Sequence, residues 1–589
     1  MILFDDYGWA NAGWHRDYTI GGVVVPYTKE VQTPHLNALV KQGIEFDRHY
    51  VYKYCSPSRS ALQSGRNPYH VNPLNADASI ANHADPVSGF AGVPRNMTGI
   101  ASKMAAAGYR TAMYGKWDAG MATPDHTPHG RGYQHTLSYF HHCNDFWSMT
   151  DAAQICKPHI NVDLWRAGLT SGGGAEGPAY HMNNTCVRKE GCFHPIELGQ
   201  PKECQAGTEG DTWWGGYEDS LFEQQVLHTI DTHNTTSDGP LFLFWAPHIV
   251  HAPLQLPQVY IEKFDFMAPT DKPTHQRQVY HAMVNFADDM VNNVTSLYKA
   301  KGMYDDLLII FSADNGGPIY ARGSGGANNY PLRGGKMNNW EGGIRANAFA
   351  SGGWLPPHVR GTKFTGLIAL WDWYSTFAHL AGVDPTDHRA AKANLPPIDS
   401  YDLSHILLGL NTSSPRLELP IGTEPRASNI TTAPLCSSYD HTTVYYEDPN
   451  IEGDEIDPIP STGRCTTVSG LILDERVGGD GDGALWKLLT GPLQQAVYLG
   501  PHWPNGSSSV DSFDHKYDVQ CGNGCLYELV SDPFETNDLA KARPEKVAEL
   551  MKKVTAYEAT AFNPKRGGTD PLSCQAAVRN GGFWGPFLP

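Results

Sequence analysis

Pro240-Leu-Phe-Leu-Phe-Trp-Ala246 contains no polar residue. A strand with one face in water alternates apolar and polar side chains. An unbroken apolar run this short therefore reads as a strand buried on both faces, the kind that parallel sheets use. Leu307-Leu-Ile-Ile-Phe-Ser312 is a second such run, Ile2-Leu-Phe4 is an apolar strand end, Tyr109 to Trp117 alternates, and Ala346 to Ala350 adds one more strand. Helical segments lie between them. Thr33-Pro34 is an N-cap and first-turn pair for a helix through Gln42. Thr98 to Ala107 ends at Gly108, Asp219 to His233 and Thr274 to Lys301 are amphipathic, and Asp372 to Ala381 is stopped by Gly382. This alternation predicts an α/β fold with a large, mostly parallel central sheet flanked by helices on both faces.

The residues able to do chemistry cluster at one edge of that sheet. Asp5, Asp6, Lys116, His251, Asp314 and Asn315 all fall just past the C-terminal ends of expected strands, and the run at 240–246 delivers His248 as well as His251. In open α/β sheets that edge is where ligands bind. Asp5, Asp6, Asp314 and Asn315 offer only hard oxygen ligands, a set that suits Ca²⁺, or less well Mg²⁺, and not zinc. Each pair also has a plainer reading as a turn, since Asp, Asn and Gly favour turns.

Tyr54-Cys55-Ser56-Pro57-Ser58-Arg59 reads as a helix start running to Gly65, with Pro57 in the opening turn and Gly65 as the C-cap. Cys55 then sits at the positive end of a helix dipole, where anions are favoured, and Arg59 one turn on adds a planar charge suited to an oxyanion. The alternative is a disulfide cysteine at a helix start. A tyrosine-phosphatase anion loop has five residues between Cys and Arg; three stand between Cys55 and Arg59.

Cys55-x-Pro-Ser-Arg59, followed by Leu62 and Gly65-Arg66, resembles the sulfatase signature. Asp5-Asp6-x-Gly-Trp9, Val250-His-Ala-Pro-Leu-Gln-Leu-Pro257, Asp314-Asn-Gly-Gly317, Leu332-Arg-Gly-Gly-Lys336, Trp340-Glu-Gly-Gly343 and Leu526-Tyr-Glu-Leu…Asp532-Pro…Glu535-Thr-Asn-Asp-Leu539 resemble further motifs of the family's arylsulfatase B (N-acetylgalactosamine-4-sulfatase) branch. The likeness is weakest over 140–215 and 436–525. It implies an alkaline-phosphatase-like fold and a sulfuric ester hydrolase acting on a sulfated sugar or aryl sulfate. By that resemblance Cys55 is oxidised by the formylglycine-generating enzyme to formylglycine, whose hydrate attacks sulfur. Asp5, Asp6, Cys55, Asp314 and Asn315 surround the metal. Arg59, with the metal, holds one oxygen of the hydrate as an alkoxide. Lys116 and Lys336 bind the sulfate oxygens, and His251 protonates the leaving alcohol. A base then removes a proton from the second hydroxyl of the sulfo-enzyme and expels sulfate.

One position departs from the family pattern. Where Gly-Lys-Trp-His is usual, this chain has Gly115-Lys-Trp-Asp118. Asp118 then takes the role of the resolving base, or His126 or His129 substitutes, or turnover is crippled. A carboxylate beside a metal and two lysines is a weaker base than imidazole. Two other functions follow as alternatives: a phosphate or phosphonate ester hydrolase of the same superfamily, and a catalytically impaired relative that binds sulfated glycans.

Composition bounds the rest. A chain of 589 residues exceeds what a single small core serves, roughly 250–300 residues. The expected division is a catalytic domain over 1–415, with an irregular, disulfide-pinned insertion at 140–215, and a smaller α+β domain over 416–589 with short antiparallel strands and a helix. The net charge of −18 argues against nucleic acid as a partner. An anionic substrate must therefore be drawn by a local positive pocket. Setting Cys55 aside, ten cysteines remain, enough for five disulfides, and seven Asn-x-Ser/Thr sequons occur, at Asn96, Asn183, Asn234, Asn293, Asn411, Asn429 and Asn505. Together they point to the secretory pathway, hence a secreted or lysosome-like location. No signal peptide precedes Ile2-Leu-Phe4, so the leader and half of the first strand are expected to be missing from this sequence. No apolar stretch approaches the ~20 residues of a membrane span.

Overall fold

The computed structural model describes residues 1–20, 22–151, 155–157, 159, 161–168, 177–178, 217–269, 272–319, 325–424, 466–476, 483–500, 517–522 and 524–589. Ten strands build the large sheet: β1 (Ile2–Phe4), β2 (Ile44–Phe46), β3 (Arg110–Lys116), β4 (His135–Tyr139), β5 (Trp165–Ala167), β6 (Gly177–Pro178), β7 (Leu241–Ala246), β8 (Ile309–Ala313), β9 (Ala348–Ser351) and β10 (Thr362–Phe364). Their order is β6-β5-β4-β3-β7-β1-β8-β9-β2-β10.

The middle five strands, β4-β3-β7-β1-β8, run parallel. The expected strand at 346–350 is present as β9, but it runs antiparallel to β8 and to β2. The apolar runs lie at the centre, as two-sided burial requires. Phe242, Phe244, Trp245 and Ala246 of β7 are buried, and so is every residue of β8. Gly115 marks a close approach within the sheet. A Cβ there would lie 1.8 Å from the carbonyl oxygen of Ala246 on β7.

The helices fall into two groups. α1 (Pro34–Lys41), α4 (Glu218–Thr232) and α5 (Lys272–Ala300) pack together, and α2 (Cys55–Ser64), α3 (Ile100–Ala106) and α6 (Asp372–Leu380) form a second group. Each corresponds to a helical segment expected from the sequence. The strand β4 does not: Thr136 and Ser138 interrupt its apolar pattern, although both are buried.

Four antiparallel strands make the smaller sheet: β11 (Glu418–Glu424), β12 (Thr466–Asp474), β13 (Leu485–Leu489) and β14 (Cys525–Glu528). α7 (Pro544–Glu558) packs on it through Leu550 and Val554, which meet Val468, Leu471, Leu473, Leu488 and Leu526. Beyond α7 the chain returns to the large body. Gly568–Thr569 pairs with Ile80–Ala81, and α8 (Pro571–Arg579) carries Cys574, which is bonded to Cys156. Cys521 is bonded to Cys525. Cys186, Cys192, Cys204, Cys436 and Cys465 lie outside the described residues.

A buried ionic cluster joins the two sheets. Lys487 Nζ on β13 lies 2.9 Å from Glu341 Oε1 and 2.7 Å from Glu535 Oε1, and all three side chains are buried. Tyr50 donates to Glu341 Oε2 at 3.0 Å, and the Glu341 amide donates to Glu535 Oε2 at 2.7 Å. Two of the sequence motifs, the one at Trp340-Glu-Gly-Gly343 and the one from Leu526 to Leu539 that contains Glu535, thus meet on one lysine. Burial pushes Glu535 up to about 7, while the Lys487 charge opposes it. Removing one partner of such a group leaves an uncompensated buried charge. Lys487→Met is therefore expected to lower stability by about 3–5 kcal/mol in denaturant unfolding, although it preserves volume.

Candidate active site

α2 begins as the sequence predicts. Tyr54 is its extended N-cap, Cys55 its first residue, and Gly65 closes it in the left-handed region at φ +68°. The Gly65 amide donates to Ala61 O, and a Cβ at that glycine would collide with the Tyr374 ring at 2.6 Å. All ten helical residues are buried. Asn75 Oδ1 accepts the Ser56 amide, one of the donors that the helix start leaves open.

The loops after β1, β3, β7 and β8 converge on Cys55. Its Sγ stands 3.4 Å from Asp5 Oδ1 and 3.4 Å from Asn315 Oδ1. Lys116, the last residue of β3, places Nζ 2.6 Å from Asp5 Oδ2. Arg59 donates through Nε to Asp314 Oδ2 at 2.9 Å and through Nη1 to the Lys116 carbonyl at 3.0 Å, and its Nη2 lies 3.6 Å from Asp5. Lys336 Nζ lies 2.7 Å from Asp6 Oδ1 and 2.9 Å from His251 Nε2. Asn315 Nδ2 donates to Asp6 Oδ1 at 2.7 Å. Every one of these side chains is buried. Asp5, Asp6, Arg59, Lys116, His251, Asp314, Asn315 and Lys336 therefore gather round Cys55 at one edge of the sheet.

Charge explains how such a cluster is tolerated. Three carboxylates, Asp5, Asp6 and Asp314, face three permanent cations, Arg59, Lys116 and Lys336. Burial acts to raise Asp5, but Lys116, His251 and Arg59 outweigh it and hold the carboxyl well below its usual range. Asp314 is pushed up to about 7, by burial first and then by the neighbouring Asp5. Burial, then the charge of Lys336, keep His251 well below the usual histidine value. Its Nδ1 is 2.6 Å from the Ala252 carbonyl, so Nδ1 carries the hydrogen and Nε2 accepts from Lys336.

The donor set fits a hard divalent ion. Asp5, Asp6, Cys55 and His251 each bring one ligand atom within 4.8 Å of the others. Asp314 and the Asn315 amide oxygen add hard oxygens beside them, the chemistry that Ca²⁺ or Mg²⁺ prefers. With a divalent ion bound, the balanced cluster becomes net positive, as an anionic ester requires.

Asp118 lies in the next layer, in the left-handed region at φ +48°. Ser56 Oγ donates to Asp118 Oδ1 at 2.6 Å, and Lys116 Nζ is 3.8 Å from the carboxylate. His126 bonds Thr123 Oγ1 and packs on Phe90, while His129 bonds the Tyr133 carbonyl. The histidine beside Asp118 is instead His142, whose Nδ1 is 3.3 Å from the carboxylate and 3.3 Å from Ser56 Oγ. Sequence reasoning missed it because β4 went unrecognised; His142 follows the C-terminal end of that strand, as the other site residues follow theirs. His248 backs the site without entering it: its Nδ1 bonds Glu218 Oε2 at 2.7 Å, and its ring stacks on Phe146.

Known proteins resemble this chain in sequence, and others resemble it in fold. Mouse arylsulfatase J is 26% identical over 600 residues, covering 100% of this chain and 79% of that protein. Human arylsulfatase A is 27% identical over 425 residues, 71% of this chain and 69% of that one. Mouse N-acetylgalactosamine-6-sulfatase is 26% identical over 411 residues, 69% and 65% of the two chains. Among solved structures, Ps i-CgsB in complex with k-i-k-neocarrahexaose superposes with a TM-score of 0.61 at 20% identity, covering 98% of this chain and 96% of that one. The Sulfatase family model matches residues 1–383, a span that holds Asp5-Asp6, Cys55, Lys116, Asp314-Asn315 and Lys336, and the chain belongs to the sulfatase family.

Proposed function

We propose that this protein is a sulfuric ester hydrolase that releases sulfate from a sulfated carbohydrate or aryl sulfate through a formylglycine formed from Cys55. The observation that carries the reading is the position of Cys55. It opens a buried helix, 3.4 Å from both Asp5 and Asn315, inside a ring that also holds two lysines and an arginine.

In this reading the hydrated aldehyde at position 55 presents two hydroxyls. Arg59, already fixed between Asp314 and Asp5, stabilises negative charge on the attacking oxygen. Lys116 and Lys336 hold the sulfate oxygens and offset the charge that grows on them in the transition state. The Lys336–His251 pair delivers a proton to the leaving alcohol, since Lys336 Nζ already donates toward His251 Nε2. Calcium, when bound by Asp5, Asp6, Asp314, Asn315 and residue 55, supplies Lewis-acid stabilisation of oxygen charge. A base on the Asp118 side of the site completes turnover. The names of the relatives support a sulfated sugar as substrate: one is an N-acetylgalactosamine-6-sulfatase, and one fold neighbour was solved with a neocarrahexaose.

A second reading has its own support. A phosphonate monoester hydrolase from Silicibacter pomeroyi shares the fold at a TM-score of 0.52 and 15% identity. Matched aryl sulfate and aryl phosphate esters separate the two. The sulfatase reading expects the sulfate ester to be cleaved at least about 10²-fold faster in kcat/KM, a difference of about 2.7 kcal/mol in transition-state binding. The reverse preference supports the phosphonate-type hydrolase, and binding of sulfated glycan without sulfate release supports the impaired relative.

We place maturation in the secretory pathway, where the formylglycine-generating enzyme would act on Cys55. The sequons at Asn234, Asn293 and Asn411 are exposed, and the Cys156–Cys574 bond suits an oxidising compartment. Among the described residues no helix is long and apolar enough to cross a membrane. The functional division is drawn at 415/416, with the catalytic unit before it and the smaller sheet after it.

A further inference from the structure

We propose that Asp219 is a positioning residue for His251, fixing the imidazole that protonates the leaving alcohol; the proposal rests on the formylglycine reading above. Asp219 is fully buried in the first turn of α4, where the helix dipole favours a carboxylate.

The sequence of the connection explains why an acceptor is needed there. β7 ends at Ala246, and Pro247 leaves the ladder because it has no N–H to donate. The next two residues, His248 and Ile249, are buried, so their amide hydrogens must find acceptors inside the protein. Both find the same one. The His248 amide donates to Asp219 Oδ1 at 2.9 Å, and the Ile249 amide donates to Asp219 Oδ2 at 2.9 Å. One planar carboxylate thus holds two successive peptide units. Glu218, its neighbour in α4, holds the same turn by a side chain. Its Oε2 is 2.7 Å from His248 Nδ1, and its Oε1 accepts from Asn144 Nδ2 at 2.8 Å.

What this turn delivers is His251. The His251 amide donates to the His248 carbonyl at 3.1 Å, and the Val250 amide donates to the Asp5 carbonyl at 3.0 Å. Fixing residues 248 and 249 therefore sets His251 relative to Asp5, and so relative to residue 55. The imidazole has little latitude of its own. Nδ1 is committed to the Ala252 carbonyl at 2.6 Å, and Nε2 meets Lys336 Nζ at 2.9 Å. A shift of about 1 Å would break that last contact, and misplacement on this scale can cost about 10²-fold in rate.

The test uses the mature, formylglycine-bearing enzyme. It compares kcat/KM for phenyl sulfate, whose leaving group needs a proton, with that for 4-nitrophenyl sulfate, whose leaving group departs as a stable anion. Asp219→Asn keeps the size of the side chain but turns one acceptor into a donor facing a backbone N–H. Asp219→Ser keeps a single hydroxyl acceptor. In both variants kcat/KM for phenyl sulfate is expected to fall about 30–100-fold, and that for 4-nitrophenyl sulfate by less than about fivefold. A merely structural role would lower both alike. His251→Ala is expected to show the same preference for the good leaving group. Adding Asp219→Asn to it should cost no more than about a further twofold, because the proton being positioned is already gone.

The proposal is overturned if Asp219→Asn loses rate equally on both esters, or if it stays within twofold of the wild type on phenyl sulfate. It is overturned equally if its loss multiplies in full with that of His251→Ala. A failure of the formylglycine reading looks different, because the wild type would then carry an unmodified thiol and cleave neither ester.

Discussion

Replacing Cys55 by alanine is expected to lower sulfate release by at least about 10⁵-fold while leaving fold and ligand binding intact. On the formylglycine reading the side chain at position 55 is the nucleophile. The residues around it are cations, carboxylates, an amide and an imidazole, which stabilise charge and move protons. Removing a covalent nucleophile typically leaves only the catalysis that binding and electrostatics supply. Relative to the mature protein the substitution removes one small neutral group, the aldehyde or its hydrate, and deletes no charged side chain, so the melting temperature is expected to stay near that of the wild type. Sulfated ligand should still bind, since Lys116, Lys336 and Arg59 remain. Equilibrium binding and a steady-state aryl sulfate assay on the same preparation check both halves of this expectation. Turnover within tenfold of the wild type would mean that another group attacks.

Arg59→Ala is expected to damage both stability and catalysis. Arg59 reaches Asp314 through Nε, Asp5 through Nη2 and the end of β3 through the Lys116 carbonyl. Without it, three buried carboxylates face two cations. Breaking a buried pair in this way is expected to destabilise by about 3–5 kcal/mol. On the formylglycine reading, loss of its charge beside residue 55 is expected to lower kcat by about 10³-fold. Arg59→Lys separates the two contributions. Lysine restores the charge but cannot span two carboxylates and a carbonyl with one planar fork. It should recover most of the stability and little of the rate. Denaturant unfolding and steady-state kinetics on both variants check the distinction; equal recovery of both quantities would mean that charge alone matters.

The centre of the fold was legible because burial on both faces demands apolar runs, and β7 and β8 have them. Their ends then pointed to His251, Asp314 and Asn315, as the ends of β1 and β3 pointed to Asp5, Asp6 and Lys116. The same rule failed at β4 for a physical reason. Thr136 and Ser138 are buried there without contributing to an apolar run, so no strand end marked His142. Asp118 stood out in the sequence as a departure, yet its partner could not be found, because His142 is 24 residues away and reaches it only through strand pairing. The contacts of Lys487 were equally unreadable. Its partner Glu341 is 146 residues distant, and nothing in the local sequence of β13 shows that a lysine among leucines will be buried against two glutamates.

The most direct test of the central claim is mass spectrometry of the tryptic peptide Tyr54–Arg59, from protein produced in a host that contains the formylglycine-generating enzyme. The account predicts the mass of an aldehyde in place of the thiol at Cys55, together with sulfate release by the same preparation. An unmodified Cys55, or one held in a disulfide, in a host that converts a control sulfatase would contradict it.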